Sequence, residues 1–226
     1  MKNQNFGDNR DLLKFDLVYQ ILNKGLVKQF NYIPMLTPDI PQKEEPHFCR
    51  HEATGGTANQ VLMSFLDNSI INETRNISQL TEFFHKQGFK ANIYALNKFF
   101  THINRQSYFK DIPNTDLAGS LILVDPDKGL EERVSNDGNL LYSDLQQLYE
   151  RIEENSYLMF TQRFPENLFS EYLEMRTAEI QDLIPGTQPI SLDDLDTIIF
   201  FLTKSKSLES RLLQLLKEYT QKYVKK

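Results

Sequence analysis

A run of four aliphatic residues, followed at once by two carboxylates, lies in the middle of the chain. Residues 121–124 are Leu-Ile-Leu-Val, and Asp125, Pro126 and Asp127 follow them directly. An uninterrupted apolar run is typical of a strand that is covered on both faces, as in a parallel sheet. Ligands of open α/β sheets collect beyond the carboxyl ends of such strands, so we predict that Asp125 and Asp127 are catalytic residues at the mouth of a site. The sequence Asp-Pro-Asp-Lys-Gly also suits a plain tight turn.

Length, charge and cysteine content narrow the class of protein. The 226 residues are 40% hydrophobic, which is enough for one large core, and the net charge of −6 argues against a strongly basic, non-specific nucleic-acid binder. The single cysteine, Cys49, cannot form an internal disulfide and favours a reducing compartment. The opening residues 1–5 lead to no apolar segment of the kind found in a secretory signal, and the sequence contains no apolar run of about 18 residues. We therefore expect a soluble, cytosolic protein without a membrane partner.

Apolar periodicities predict strands that alternate with helices. Strands are expected at about residues 30–36, 89–94, 121–124, 155–162 and 197–203. Helices are expected at about residues 8–29, 58–67, 76–87, 96–108, 140–153, 165–183 and 207–223. This order predicts a single α/β domain over residues 1–226, with a mostly parallel sheet between helices on both faces. The strand at 197–203 is expected at the sheet edge, and Phe99, Phe100 and Ile103 are expected to point inward from their helix.

The first helix begins with an unusual number of charges. Asp8 is a suitable N-cap, and Asp11 three residues later gives a start that resembles a capping box. Arg10 and Lys14 share one face of the helix by their four-residue spacing, and Asp11 lies close to Lys14. These charges either form ion pairs on a solvated surface or belong to a site, in which case Lys14 could pair with Asp125 across a crevice.

Two further groups of polar residues could bind ligands. His47, Cys49 and His51 alternate along a polar stretch, but no second cluster with zinc-ligand spacing accompanies them, so an ordinary loop is favoured over a metal site. Gln162 and Arg163 end a predicted strand, and their side chains can donate hydrogen bonds to a base, a carboxylate or a phosphate. We predict that these two residues contact the substrate.

Two short motifs resemble known families. Gly7-Asp8-Asn9-Arg10-Asp11-Leu12-Leu13-Lys14, followed by a helix and a strand, resembles the opening of bacterial ribosomal-RNA adenine-N6 methyltransferases. Three-cysteine-motif partner proteins are similar too, and phage or prophage proteins with an Asp-Pro-Asp-Asn-Gly-Leu motif best match residues 125–130. The resemblance covers about residues 6–163 and implies a Rossmann-like three-layer sandwich. It also implies that Asp8, Asp11 and Lys14 frame an S-adenosylmethionine pocket, and that Asp125-Pro126 begins an Asp-Pro-Pro-Tyr-type catalytic motif.

The sequence departs from the methyltransferase pattern at two places. Residues 35–39, which follow the first strand, contain no glycine to let the backbone approach a cofactor. Asp127 and Lys128 replace the second proline and the aromatic residue of the catalytic motif, so no ring is available there to stack on a flipped base. Either the cofactor binds in a different way or the methyltransferase chemistry has been lost.

Three functional hypotheses follow. The favoured one is a methyltransferase-like protein that acts on nucleic acid, with S-adenosylmethionine as cofactor and Asp125 orienting the acceptor amine. The second is a Mg²⁺-dependent phosphodiesterase or nuclease, in which Asp8, Asp125 and Asp127 hold the metal. The third is a non-catalytic interaction protein, related to phage or bacterial defence, in which the acidic segment 125–154 faces a basic protein partner.

Overall fold

The computed structural model describes residues 1–40, 55–164, 169–194 and 196–223. The stretch that contains His47, Cys49 and His51 lies outside the described residues, and so does the predicted start of the helix at 165–168. The interpretation of the first stretch as a loop therefore stays a prediction.

Six strands form the central sheet, and two short strands form a separate pair. The strands are β1 (Gln29–Ile33), β2 (Lys90–Ile93), β3 (Ser120–Val124), β4 (Gly129–Leu130), β5 (Asn139–Leu140), β6 (Tyr157–Arg163), β7 (Ile190–Asp194) and β8 (Thr197–Leu202). The order in the central sheet is β2-β1-β3-β6-β8-β7, and β4 pairs with β5. Strands β2, β1, β3 and β6 are mutually parallel, whereas β8 runs antiparallel to both of its neighbours.

Helices cover both faces of this sheet. They are α1 (Asn9–Asn23), α2 (Gln60–Ile71), α3 (Gln79–Lys86), α4 (Arg105–Lys110), α5 (Asn114–Leu117), α6 (Tyr142–Arg151), α7 (Phe169–Leu183) and α8 (Lys206–Tyr223). Leu121 and Leu123 of β3 pack in one core with α1, α2, α3 and α8, and Ile122 and Val124 pack in a second core with α4 to α7. The predicted three-layer α/β fold with a mostly parallel sheet is confirmed, and it is Rossmann-like. Among the described helices, none is both long and apolar enough to cross a membrane.

The strand order reverses direction between β1 and β3. The chain moves from β1 outward to β2 and then returns across β1 to β3, so the two connections leave the sheet on opposite sides. A crevice opens at such a switch point, beyond the carboxyl ends of the two strands. In this chain the switch point lies beside Ile33 and Val124, which are register partners and directly precede Pro34 and Asp125.

The expectation that residues 197–203 form the edge of the sheet is wrong. Every residue of β8 is buried, and β7 lies outside it as the edge strand. A strand of six buried residues needs a neighbour on each side, and β7 provides the second one. The sequence carried a short signal for β7, because apolar Ile190 and Leu192 alternate with polar Ser191 and Asp193. In the structure the two apolar side chains are buried and the two polar ones are exposed.

The helix predicted over residues 96–108 is also wrong for most of its length. Helix α4 begins only at Arg105, and the preceding residues form turns in which Phe99 is 52% exposed and Ile103 is 99% exposed. The Asn104 side chain explains the turn, since it donates to the Phe99 carbonyl (2.7 Å) and accepts from the Thr101 amide (2.9 Å). Phe100 does point inward, as predicted.

Asp16 fastens α1, which carries the site described below, to its neighbours. Its carboxylate accepts hydrogen bonds from the Tyr219 hydroxyl (2.8 Å) and the Asn59 amide (2.8 Å), and the residue is buried. Asp16→Ala leaves these donors without that acceptor, so we expect a loss of roughly 2–4 kcal/mol in the free energy of unfolding, measured by urea denaturation. Tyr219→Phe removes one bond and should cost less. A smaller loss for Asp16→Ala than for Tyr219→Phe would contradict this prediction.

Candidate functional site

A small polar cavity lies at the switch point. It has a volume of about 40 Å³, enough for a few water molecules. Its walls come from the start of α1, from the connection that follows β3 and from the carboxyl end of β6. The residues of predicted function that line it are Asp8, Asp11, Lys14, Asp125, Asp127 and Arg163. The structure therefore brings together two motifs that are more than one hundred positions apart in the chain.

The first two turns of α1 place Asp11 and Lys14 at the cavity. Asp8 is the N-cap, and its side chain accepts from the Asp11 backbone amide at 2.9 Å. The Asp11 carboxylate in turn accepts from the Gly7 amide at 2.9 Å, and Gly7 has a φ of +95° that disfavours other residues. This reciprocal arrangement resembles the predicted capping box, and it fixes the direction of Asp11.

A buried group of charges joins α1 to three strands; we call it the Lys14 network. The Lys14 ammonium lies 2.7 Å from Asp11 and 2.6 Å from Asp125. The Tyr32 hydroxyl of β1 donates to Asp125 Oδ2 (2.6 Å), and the Thr161 hydroxyl of β6 donates to Asp125 Oδ1 (3.0 Å). Because both Asp125 oxygens already accept hydrogen bonds, and the residue is only 4% exposed, its carboxylate is held in one orientation.

The charge states in this network follow from burial and pairing. Burial by itself would raise the pKa of Asp125, but the Lys14 ammonium and the other donors outweigh it and lower that pKa. Burial would likewise lower the pKa of Lys14, but Asp11 and Asp125 raise it. Burial and the nearby carboxylates raise the pKa of Tyr32, so the hydroxyl stays protonated and donates. Burial is also the main reason that the pKa of Asp11 is raised, against the opposing effect of Lys14.

Asp127 occupies a different environment at the cavity rim. Its side chain is 16% exposed, and it forms an ion pair with the Lys2 ammonium. Burial would raise the pKa of Asp127, but the Met1 amine, Lys2 and Arg163 together lower it. Asp127 is thus an ionised carboxylate with one principal side-chain partner, whereas Asp125 has three.

Two arginines lie on the far side of the cavity. Arg10 binds both carboxylate oxygens of Asp196, at 2.8 Å for its Nε, and so ties α1 to the connection between β7 and β8. Arg163 is exposed at the end of β6, and its guanidinium forms no hydrogen bond or ion pair with any residue that the structure describes. Arg163 is therefore available to an anionic group of a ligand.

Gln162 lies beside the cavity without lining it. Its carbonyl oxygen accepts from the Leu130 amide (2.6 Å), and its amide nitrogen donates to the Arg163 carbonyl (2.8 Å) and the Tyr172 hydroxyl (2.6 Å). The side chain is buried and holds β4 against β6, and Gly129 lies so close to it that a Cβ would collide. A contact between Gln162 and a substrate stays a prediction, although in this conformation its amide serves the protein itself.

Several residues that complete the site carry no recognisable signal in the sequence. Tyr32 and Thr161 lie inside predicted strands, where their hydroxyls have no distinguishing pattern, and Lys2 lies in a polar stretch before the first helix. For the metal alternative, the described residues contain no group of three or more histidine, cysteine, aspartate or glutamate side chains placed to hold an ion. The Mg²⁺ hypothesis therefore gains no support.

Comparison with known proteins yields distant structural similarity. No protein-family model matches the chain, and no curated protein matches it significantly. Human methyltransferase-like protein 13, solved in complex with SAH, is 8% identical with a TM-score of 0.39, and the match covers 92% of each chain. A DUF574 family protein from Streptomyces avermitilis is 13% identical with a TM-score of 0.36, covering 87% of this chain and 82% of that one. Matches this distant carry no argument about activity, and the Rossmann-like assignment rests on the strand order.

Lys14 is predicted to be essential for stability. Lys14→Met leaves Asp11 and Asp125 buried without their shared cation, which should cost about 3–5 kcal/mol of the free energy of unfolding at pH 7. Without the cation, the folded-state pKa of Asp125 rises above the unfolded value of about 4, and the pKa of Asp11, which burial already raises, rises further. The loss of stability in Lys14→Met is therefore complete above these raised pKa values, and it becomes smaller as the pH falls toward about 4.

Urea denaturation at pH 7 and pH 5 tests this prediction. Lys28→Met, which changes an exposed lysine, is the control. If Lys14→Met does not fold, the double variant Asp11→Asn with Lys14→Met should recover part of the stability, because one uncompensated charge is removed. A loss that is equal at both pH values, or below about 1 kcal/mol, would argue against the assigned charge states.

Proposed function

We propose that the protein is methyltransferase-like and binds S-adenosylmethionine, or its demethylated product, in the cavity at the switch point, with nucleic acid as the substrate. One observation carries this proposal. The two segments that resemble methyltransferase motifs, 8–14 and 125–127, meet in a single cavity, where Lys14 and Asp125 are 2.6 Å apart. The cavity lies where Rossmann-like sheets bind their ligands.

The charges at the cavity suit one end of this ligand. The amino-acid end of S-adenosylmethionine carries an ammonium and a carboxylate, next to a sulfonium. Asp127 is an ionised carboxylate at the rim that can accept from the ammonium, and the guanidinium of Arg163 can bind the ligand carboxylate or a nucleic-acid phosphate. The methyl group of the bound cofactor is the group that would be transferred.

The two central carboxylates then have different tasks. Asp125 is fully engaged with Lys14, Tyr32 and Thr161, so it supports the floor of the site. Asp127 is the carboxylate that can exchange its partner for a ligand. This division departs from the sequence-based expectation that Asp125 orients the acceptor amine.

In this conformation the cavity is too small for the ligand. A site for a molecule of this size usually occupies about 300–1,000 Å³, whereas the cavity has about 40 Å³. Met1 and Asn5 form part of its walls, and the Met1 carbonyl accepts from the Thr37 amide beside β1 at 2.8 Å. Binding of a ligand of this size therefore requires that residues 1–5 move.

The loop after β1 has part of the shape expected of a cofactor loop. Met35 has a φ of 41°, in the left-handed region that glycine normally occupies. Its side chain is buried in the core with Ile33. The backbone thus makes a tight bend without glycine, while the side chain is directed into the protein and not into the crevice.

Exposed apolar side chains on loops near the cavity favour a surface that contacts a partner. Phe99 and Ile103 are exposed apolar side chains on the loop that follows β2, and Val134 is exposed on the loop between β4 and β5. The His102 backbone amide donates to the Asp137 carboxylate and so joins these loops. The loops extend from the same edge of the sheet as the cavity. They are where a nucleic-acid base or a protein partner would make apolar contacts, which keeps the interaction-protein hypothesis as the second candidate.

Isothermal titration calorimetry tests the proposed ligand. We expect the protein to bind S-adenosylmethionine and S-adenosylhomocysteine, and Asp127→Asn to weaken binding several-fold, because a charged hydrogen bond contributes about 1.5–3 kcal/mol. Asp193→Asn, an exposed carboxylate on β7, is the matched control and should leave affinity unchanged. The absence of binding heat at millimolar concentrations of both ligands would refute the proposal.

A further inference from the structure

Asp127, whose carboxylate lines the cavity, already pairs with an amine of the protein itself. We infer that the Lys2 ammonium takes the position of the ligand's ammonium on Asp127, and that residues 1–5, the closing segment, shut the cavity until an amine-bearing ligand displaces Lys2. This inference rests on the proposed function and adds to it the chemical group that competes for the site.

The contacts of Lys2 are those of a bound amine. Its ammonium pairs with Asp127 and donates to the Thr37 hydroxyl at 3.1 Å, and the residue is only 9% exposed. Lysine is rarely so buried unless it is paired, because the loss of water around an ammonium is costly. A carboxylate and a hydroxyl that together bind one ammonium can bind another of similar shape.

The closing segment is held mainly by polar contacts, together with the Met1 side chain, which is buried in the core that includes α1. Gln4 adds hydrogen bonds with Asp39, Ile40 and Arg75. The Thr37 amide donates to the Met1 carbonyl (2.8 Å), and the Ile77 amide donates to the Asn3 side chain (3.1 Å). Residues 3–5 are half-buried. Segments held mainly by exchangeable hydrogen bonds open at lower free energy than the core does.

Phe6 marks where the movement ends. Its ring is fully buried and packs against Phe15 of α1 and Phe65 of α2, with centroids 6.4 and 6.2 Å apart. Residues 1–5 can therefore swing away while Phe6 and the capped start of α1 stay in place. The Lys14 network, which is anchored in α1 and the sheet, remains as the floor of the opened site.

Competition of this kind lowers the apparent affinity for the ligand. A tethered ammonium has a high effective concentration at its own site, and the apparent dissociation constant equals the intrinsic one divided by the fraction of molecules that are open. Removing the Lys2 ammonium should therefore tighten binding of an amine-bearing ligand. Removing the Asp127 carboxylate should also open the segment, but it should not tighten binding, because the ligand ammonium and the Lys2 ammonium both bind to that carboxylate.

Hydrogen exchange tests the closure without any ligand. In Lys2→Met, which keeps most of the side-chain length, we expect the Thr37 and Ile77 amides to exchange several-fold faster than in the parent protein, and likewise in Asp127→Asn. Lys217→Met, an exposed lysine on α8, is the matched control. Unchanged exchange at Thr37 and Ile77 in both test variants overturns the inference.

Calorimetry with S-adenosylhomocysteine tests the competition. Tighter binding by Lys2→Met than by the parent protein, by about tenfold, supports the inference, and equal or weaker binding overturns it. A third outcome is faster amide exchange in Lys2→Met while neither protein binds S-adenosylhomocysteine. That outcome overturns the proposed function, and it shows that residues 1–5 close the cavity whether or not the protein binds this ligand.

Discussion

The ion network around Lys14 is the interaction on which the rest of this structure depends. One ammonium is buried between Asp11 and Asp125, which belong to a helix and to the connection after the central strand. Three charges removed from water are tolerated only with close pairing and hydrogen bonds to the remaining lone pairs. Gly7 supplies such a bond to Asp11, and Tyr32 and Thr161 supply them to Asp125. The first helix is thereby fixed relative to the edge of the sheet.

Two carboxylates at this edge of the sheet lie in different environments. Asp125 and Asp127 are two residues apart, but Pro126 ends the strand and Asp127 emerges at the rim. Asp125 is saturated with hydrogen bonds to the protein, so it cannot serve a ligand without losing one of them. Asp127 has only Lys2 and, at 3.8 Å, the Met1 amine to exchange, and both belong to the closing segment. The number of partners within the protein therefore decides which carboxylate supports the structure and which can contact a ligand.

The fold could be predicted from the sequence where local pattern and burial agree. The apolar run at 121–124 predicted a strand covered on both faces, and the start at Asp8 predicted a helix; both are present. Prediction failed where a side chain competes with the backbone, as Asn104 does in the turn before α4. It also failed at β7, whose alternating pattern is short and contains two aspartates.

The sequence by itself determined which charges the site would contain, because Asp8, Asp11, Lys14 and Asp125 stand at helix and strand ends whatever their partners are. Only the tertiary structure decided how those charges are used. Whether Lys14 meets Asp125, and whether Lys2 reaches Asp127, depends on strand order and on contacts across 111 and 125 positions of chain. Such contacts follow from the packing of two whole layers on the sheet, and no local periodicity encodes them.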